Sequence, residues 1–138
     1  NLLGSLVGGR LVDKIRPGGL LAVLAVITTG ALISLVMFGK EGGLFISLSV
    51  IGFAYGGTIA AYPAAIAKLF HVKDIAKIYG RVFTAWGCAG LLGPWLAGFL
   101  FDLSTDYQLA LLAAACFGLV SILAMILLSE SHRHNFDA

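Results

Sequence analysis

The sequence predicts an all-α protein, a polytopic bundle of helices that crosses a membrane several times. Of its 138 residues, 59% are hydrophobic and only 12% are charged, whereas a soluble domain carries about 25% charged residues. The apolar residues gather in four long runs with few or no charges. Lys and Arg collect between alternate runs, as expected when successive loops lie on opposite sides of a bilayer.

The apolar runs set the predicted elements in order. The first nine residues resemble the last turns of a helix, and a charged loop at 10–19 follows, ended by Pro17 and two glycines. The predicted membrane-spanning helices cover 20–38, 44–67, 76–101 and 109–128, and a polar tail covers 129–138.

The second span holds a pair of glycines, Gly52 and Gly56, at a spacing of four residues. Small residues at this spacing lie on one face of a helix and let another helix approach closely in lipid. Pro63 lies near the end of the span and is expected to bend it. We therefore expect this helix to pack tightly against a neighbour.

The third span is the richest in small residues. Its uncharged core, Val82 to Phe101, is long enough to cross a bilayer. Pro94 removes one backbone hydrogen bond and is expected to kink the helix. This pattern suits either a packed structural helix or a gating helix of a transporter. Its small residues form two stripes at helical spacing: Ala85, Ala89, Gly93 and Ala97, and beside them Gly90, Pro94 and Gly98.

The distribution of basic residues predicts the orientation of the chain. Eight of the nine Lys and Arg lie in the 10–19 loop, the 68–81 connection or the tail, and only Lys40 lies in a loop of the other side. Cytoplasmic loops attract Lys and Arg. We therefore expect the tail, and with it the C-terminus, to be cytoplasmic.

Several function classes find no support. The chain has no basic stripe typical of nucleic-acid binding and no catalytic nucleophile with its base, and we expect neither enzyme activity nor a cofactor. His132 and His134 form only a weak metal pattern, so no metal site is predicted. Cys88 and Cys116 lie inside apolar runs and are predicted to be small buried hydrophobes. The chain begins without Met or a signal peptide, so we expect a fragment of a longer protein.

The charged loop carries the most informative motif. Gly9, Leu11 and Asp13 precede Lys14 and Arg16 within one short connection between helices. Asp13 is suited to accept hydrogen bonds from a neighbouring helix N-terminus or an arginine, forming a charge clamp that breaks and re-forms as helices move. The alternative is a solvated turn that merely follows the positive-inside rule.

This loop is similar to the signature loop of the major facilitator superfamily, Gly-x-Leu-x-Asp-Arg-x-Gly-Arg-Arg. Gly9, Leu11 and Asp13 match in register, whereas Lys14 replaces Arg, Arg16 falls at the second Gly and Pro17 at the next Arg. The resemblance implies helices 9–12 of a twelve-helix fold, with 1–9 as the end of helix 8. It also implies missing N-terminal helices of the same protein as partners.

Two further stretches resemble the oxalate/formate antiporter and monocarboxylate-porter branch of that superfamily. They are Phe53–Ala67, and Lys77–Phe83 with Gly90–Gly98. In that architecture helices 10 and 11 border the central cavity, and helices 9 and 12 lie outside. The candidate cavity residues, whose alternative role is aromatic packing between helices, are Tyr55, Thr58, Tyr62, Thr84 and Trp86.

The resemblance implies a secondary transporter in the bacterial inner membrane that moves a small organic anion, a mono- or dicarboxylate, by alternating access. An antiporter is one form of it. Val82 to Phe101 holds no basic residue, so a charge that neutralises the anion is expected from elsewhere in the protein. The alternatives are a monocarboxylate substrate and a substrate that is not an anion. The competing hypothesis is a small four-span subunit that scaffolds a membrane complex.

Overall fold

In a computed structural model, which describes residues 1–38, 43–69 and 72–134, the chain folds into α-helices. The helices are α1 (Leu2–Lys14), α2 (Pro17–Phe38), α3 (Gly43–Leu69), α4 (Val72–Ser104) and α5 (Gln108–His134). These ranges contain no strand, so the predicted all-α class is confirmed.

Four of the helices, α2 to α5, are long and apolar enough to cross a membrane. This finding confirms the predicted polytopic bundle. The turn that contains Lys40, the connection that contains His71 and the last four residues of the tail lie outside the described residues.

The helices extend beyond the apolar runs that predicted them. α1 continues through the charged residues to Lys14, α4 begins at Val72, and α5 reaches His134. The loop expected at 10–19 is reduced to two residues, because Pro17 starts α2 at a position where no backbone N–H is needed. Hydropathy marks only the part of a helix inside lipid, whereas backbone hydrogen bonding continues into the polar layer.

α1 and α3 run parallel and pack backbone to backbone. Gly4 lies against the carbonyl of Phe53, and a Cβ atom built on Gly8 would lie 2.7 Å from the Cα of Gly57. The hydroxyl of Ser5 donates to the carbonyl oxygen of Gly56 at 3.2 Å. The small residues of α1 therefore form the closest helix contact in the described structure.

Only one of the two glycines predicted to pack in the second span does so. Gly56 lies against the backbone of Asn1, while a Cβ atom on Gly52 would meet no atom within 4 Å. Residues four apart lie on the same face of a helix, but a neighbouring helix covers only part of that face. The spacing alone therefore does not show which of the two glycines contacts the neighbour.

α2 packs between α3 and α5 and completes the core. At the α5 contact, Gly118 lies directly against the side chain of Thr29. The buried apolar cluster consists of Val12, Leu20, Leu21, Leu24, Ala54, Ala61 and Ala65.

α4 stands apart from this core. None of its apolar membrane-spanning window is buried. The candidate packing residues Gly90, Gly93 and Gly98 have no atom within 4 Å of a built Cβ, so their packing role stays a prediction. α4 continues through Pro94, as α3 does through Pro63.

The turn between α4 and α5 contains a strained residue. Thr105 has a φ of 55°, in the left-handed region that disfavours β-branched side chains. We expect Thr105→Gly to stabilise the folded protein by about 1 kcal/mol, because glycine adopts this conformation without the steric penalty. A higher unfolding temperature in detergent checks this, and Thr105→Val, which keeps the β-branch, is expected to give no gain.

Candidate functional site

A cleft of about 290 Å³ lies between α2, α3 and α5. Its walls are mainly aliphatic, and no charged side chain of the described residues lines it. Hydroxyl groups reach it from all three helices, so it offers hydrogen bonds without a fixed charge. The residues that bear them are Thr28, Thr29, Tyr55, Thr58, Tyr62 and Ser121.

The cleft brings together three of the five candidate cavity residues. Tyr55, Thr58 and Tyr62 all lie on α3 and line it. Thr84 and Trp86 lie on α4 and are exposed, away from the cleft. The cleft therefore uses the first and last spans together with the second, whereas the resemblance implies a cavity bordered by the second and third spans.

The hydroxyls of Thr28, Thr29 and Ser121 are not among the candidates predicted from the sequence. The available signal was a hydroxyl inside an otherwise aliphatic span, on α2 and on α5. The resemblance places these two helices outside the cavity, and therefore the candidates came from the second and third spans alone.

The threonine hydroxyls of the cleft already donate their protons. Thr28 donates to the carbonyl oxygen of Leu24 at 2.9 Å, and Thr29 donates to that of Ala25 at 2.8 Å. Thr58 makes the same bond at 2.8 Å, one turn back along α3. A hydroxyl has one proton, so these groups present only lone pairs to a ligand.

The tyrosines differ from the threonines in this respect. Tyr55 and Tyr62 are 41% and 36% exposed, and a phenolic hydroxyl both donates and accepts. A carboxylate accepts hydrogen bonds but does not donate them. The tyrosine hydroxyls are therefore the better donors for an anion in this cleft.

Asp13, the aspartate of the loop motif, forms an ion pair with the end of another helix. Asp13 Oδ1 lies 3.3 Å from Nζ of Lys68, in the last turn of α3. The same Nζ donates to the carbonyl oxygen of Val12 at 2.6 Å. Lys68 therefore satisfies one of the carbonyl groups that the end of α1 leaves without a helical partner.

The partner of Asp13 differs from the predicted one. An arginine or a helix N-terminus was expected, and the structure places a lysine at a helix C-terminus. The other members of the loop make no comparable contact among the described residues: Gly9 is half-buried with open space beside it, and Lys14 and Arg16 are exposed.

The cysteines are not buried as predicted. Cys88 and Cys116 are both exposed and free. Apolar residues of a membrane helix face lipid as well as protein, so an apolar run does not by itself imply burial in a core. The described residues contain no cluster of three His, Cys, Asp or Glu side chains able to hold a metal ion; the side chains of His132 and His134 lie outside them.

The model of one protein family, described as Major Facilitator Superfamily, matches residues 1–137. An uncharacterized MFS-type transporter of Escherichia coli, YhjX, is 34% identical over 66% of this chain and 23% of its own length. Monocarboxylate transporter 13 of Rattus norvegicus is 31% identical over 85% of this chain and 28% of its own.

A third relative is apicoplast pyruvate carrier 1 of Toxoplasma gondii, 33% identical over 60% of this chain and 16% of its own length. The chain thus spans less than a third of the length of each of these relatives. No solved structure matches the chain.

Proposed function

Because the chain belongs to the major facilitator superfamily, a family of membrane transporters, we propose that it is part of a secondary transporter that moves a small organic anion by alternating access. In this proposal α2 to α5 are helices 9–12 of a twelve-helix protein, and α1 is the end of helix 8. The remaining helices would come from the same protein.

The observation that carries the proposal is the hydroxyl-lined cleft between α2, α3 and α5. Its apolar walls suit the carbon chain of a small acid, and Tyr55 and Tyr62 supply donors for a carboxylate. Two of the relatives are named as a monocarboxylate transporter and a pyruvate carrier. Both names agree with a small carboxylate as substrate.

Among the described residues no positive charge lines the cleft, so these residues alone do not neutralise a bound carboxylate. An unpaired carboxylate in a water-poor site costs several kcal/mol. We therefore propose that a basic residue outside this chain completes the site, or that the acid carries a single negative charge shared by the tyrosine hydroxyls. Transport of this kind uses no cofactor and forms no covalent intermediate.

We propose that the ion pair between Asp13 and Lys68 is a gate of this transporter. It joins the end of α1 to the end of α3, the helix that carries three candidate cavity residues. The pair lies at the end of the bundle for which the basic residues predict the cytoplasmic side. In the proposal it forms in one state of the transport cycle and opens in the other.

We expect Tyr62→Phe to raise the KM for transport about tenfold. The substitution keeps the ring and removes only the hydroxyl, and a hydrogen bond to a charged group contributes about 1.5–3 kcal/mol. The measurement is uptake of labelled organic acids, pyruvate first, into liposomes that contain the protein expressed from its complete coding sequence.

Two control variants accompany this experiment. Tyr107→Phe makes the same chemical change in the turn after α4, away from the cleft, and is expected to leave KM unchanged. Thr58→Val is expected to have a smaller effect than Tyr62→Phe, because the Thr58 proton is already donated to Ala54. Equal KM values for Tyr62→Phe and Tyr107→Phe would reject the cleft as the substrate site.

A further inference from the structure

The threonines of the cleft differ from its other hydroxyl groups in what they offer a ligand. Thr28 and Thr29 on α2 and Thr58 on α3 all line the cleft. Each donates its hydroxyl proton to the backbone carbonyl four residues earlier, at 2.9, 2.8 and 2.8 Å respectively. A ligand therefore meets a lone pair at each threonine, which accepts a hydrogen bond and does not donate one.

These three bonds belong to single helices. Donor and acceptor lie in the same helix in each case, so helices from outside this chain that pack against the cleft leave the bonds in place. A ligand acceptor gains little by recruiting one of these protons, because the hydroxyl then gives up its bond to the carbonyl. A ligand donor adds a hydrogen bond and breaks none. The threonines therefore favour ligand donors over ligand acceptors.

Thr29 is the most enclosed of the three acceptors. It is 3% exposed, and Gly118 on α5, which also lines the cleft, lies directly against its hydroxyl oxygen. A hydrogen bond is stronger in such a site than in water because the local dielectric constant is lower. An acceptor placed here therefore discriminates more sharply between ligand groups than an acceptor in water does.

The ligand group that faces these acceptors has to supply a proton. The carbonyl of a 2-oxo acid and the second carboxylate of a dicarboxylate only accept hydrogen bonds, and either would set lone pairs against lone pairs. An ammonium group donates, but no carboxylate of the described residues lines the cleft to pair with its charge. A hydroxyl group donates a proton without bringing a charge into the cleft.

We propose that the cleft selects monocarboxylates that carry a hydroxyl group, above all 2-hydroxy acids, over 2-oxo acids of the same chain length and over dicarboxylates. The hydroxyls of Tyr55 and Tyr62 donate to the carboxylate, and the threonines accept the proton of the substrate hydroxyl. This selectivity rests on the proposed function, since it names the substrate class of the same cleft.

The test compares three-carbon acids in liposomes that contain the protein expressed from its complete coding sequence. Lactate, pyruvate and malonate share their chain length and differ in the group offered to the threonines: a hydroxyl, an oxo group or a second carboxylate. The measurement is the KM for uptake of each labelled acid at neutral pH. We expect the KM of lactate to be about tenfold lower than that of pyruvate, because pyruvate leaves a partly buried acceptor unpaired. Malonate is expected to be transported no better than pyruvate.

Substitutions in α2 assign the preference to the threonines. The double variant Thr28→Val, Thr29→Val keeps the β-branched shape and removes both hydroxyls, so we expect the KM values of lactate and pyruvate to become equal. Thr28→Ser, Thr29→Ser keeps both hydroxyls and is expected to keep the preference. Ser49→Ala is the matched control, because Ser49 makes the same bond to the carbonyl of Phe45 on α3 but lies outside the cleft. It is expected to keep the preference as well.

The outcomes separate the selectivity from the proposed function. Equal KM values for lactate and pyruvate in the unsubstituted protein, or an unchanged preference in the double valine variant, would overturn the selectivity and leave the transport of organic anions standing. Uptake of none of the three acids would overturn the proposed function and the selectivity with it. If the double variant fails to fold, Thr28→Val and Thr58→Val are each expected to lower the preference about threefold, and no change in either would equally overturn the selectivity.

Discussion

Asp13→Asn is expected to slow transport about fivefold while the protein stays folded. The carboxylate lies 3.3 Å from Lys68 Nζ, with side chains 74% and 40% exposed respectively. Exposed pairs of this kind contribute about 0.2–1 kcal/mol. A pair that forms in only one of two states shifts their populations by up to about fivefold at that energy, which sets the expected effect.

The second contact of Lys68 explains why folding is retained. In the variant, Lys68 keeps its hydrogen bond to the carbonyl oxygen of Val12. The end of α1 therefore remains joined to α3. Lys68→Gln loses the charge that serves both contacts and is expected to lower thermal stability as well as the transport rate.

The measurement is initial flux of labelled organic acid in reconstituted liposomes, with the amount of folded protein fixed by size-exclusion chromatography. Asp102→Asn, an exposed aspartate in the last turns of α4, is the matched control and is expected to keep full flux. The double variant Asp13→Asn, Lys68→Gln is expected to be no slower than Lys68→Gln alone, since both substitutions break one pair. Unchanged flux in Asp13→Asn would reject the gating role.

Gly8→Ala is expected to destabilise the fold. A Cβ atom at Gly8 would lie 2.7 Å from both the Cα and the carbonyl oxygen of Gly57. Both are backbone atoms, so no side-chain rotation relieves the overlap, and the helices must move apart. Overpacking of this kind costs about 1–3 kcal/mol.

The neighbouring glycine provides the control. Gly9 belongs to the same helix, and a Cβ atom there meets nothing within 4 Å. Gly9→Ala is therefore expected to be neutral or to stabilise the helix by up to about 1 kcal/mol. The measurement is the unfolding temperature in detergent and the fraction of monodisperse protein; equal values for the two variants would show that the contact at Gly8 is not a tight one.

The membrane-spanning helices were predictable from the sequence because lipid imposes a minimum apolar length on each. The ends of the helices were not predictable. A charged segment such as Arg10 to Lys14 lies in the polar layer equally well as a continuation of α1 or as a loop. The glycine contact of α1 carried a readable signal, since Gly4 and Gly8 are four residues apart. A segment as short as 1–9 predicts only the end of a helix, and its sequence does not identify the helix that it contacts.

The candidate site was predictable in part. Tyr55, Thr58 and Tyr62 share the cleft because residues at spacings of three, four and seven lie on one helical face. Which residues of α2 and α5 meet them depends on how the helices pack, and spacing along one helix does not contain that information. The same reason applies to the contact between Lys68 and Asp13. These residues are distant in the sequence, and they meet because α1 and α3 pack in parallel.

The parallel contact between α1 and α3 also determines what a movement at the ion pair does. The two helices touch from Gly4 and Phe53 at one end to Val12 and Lys68 at the other, with backbone atoms in contact between them. The glycine contacts leave the two helices no room to approach further, so we expect the segments from Gly4 to Gly8 and from Phe53 to Gly57 to move as one unit. Tyr55 belongs to that unit, whereas the side chains of Asp13 and Lys68 meet beyond it, so the ion pair can open while Tyr55 keeps its place in the cleft.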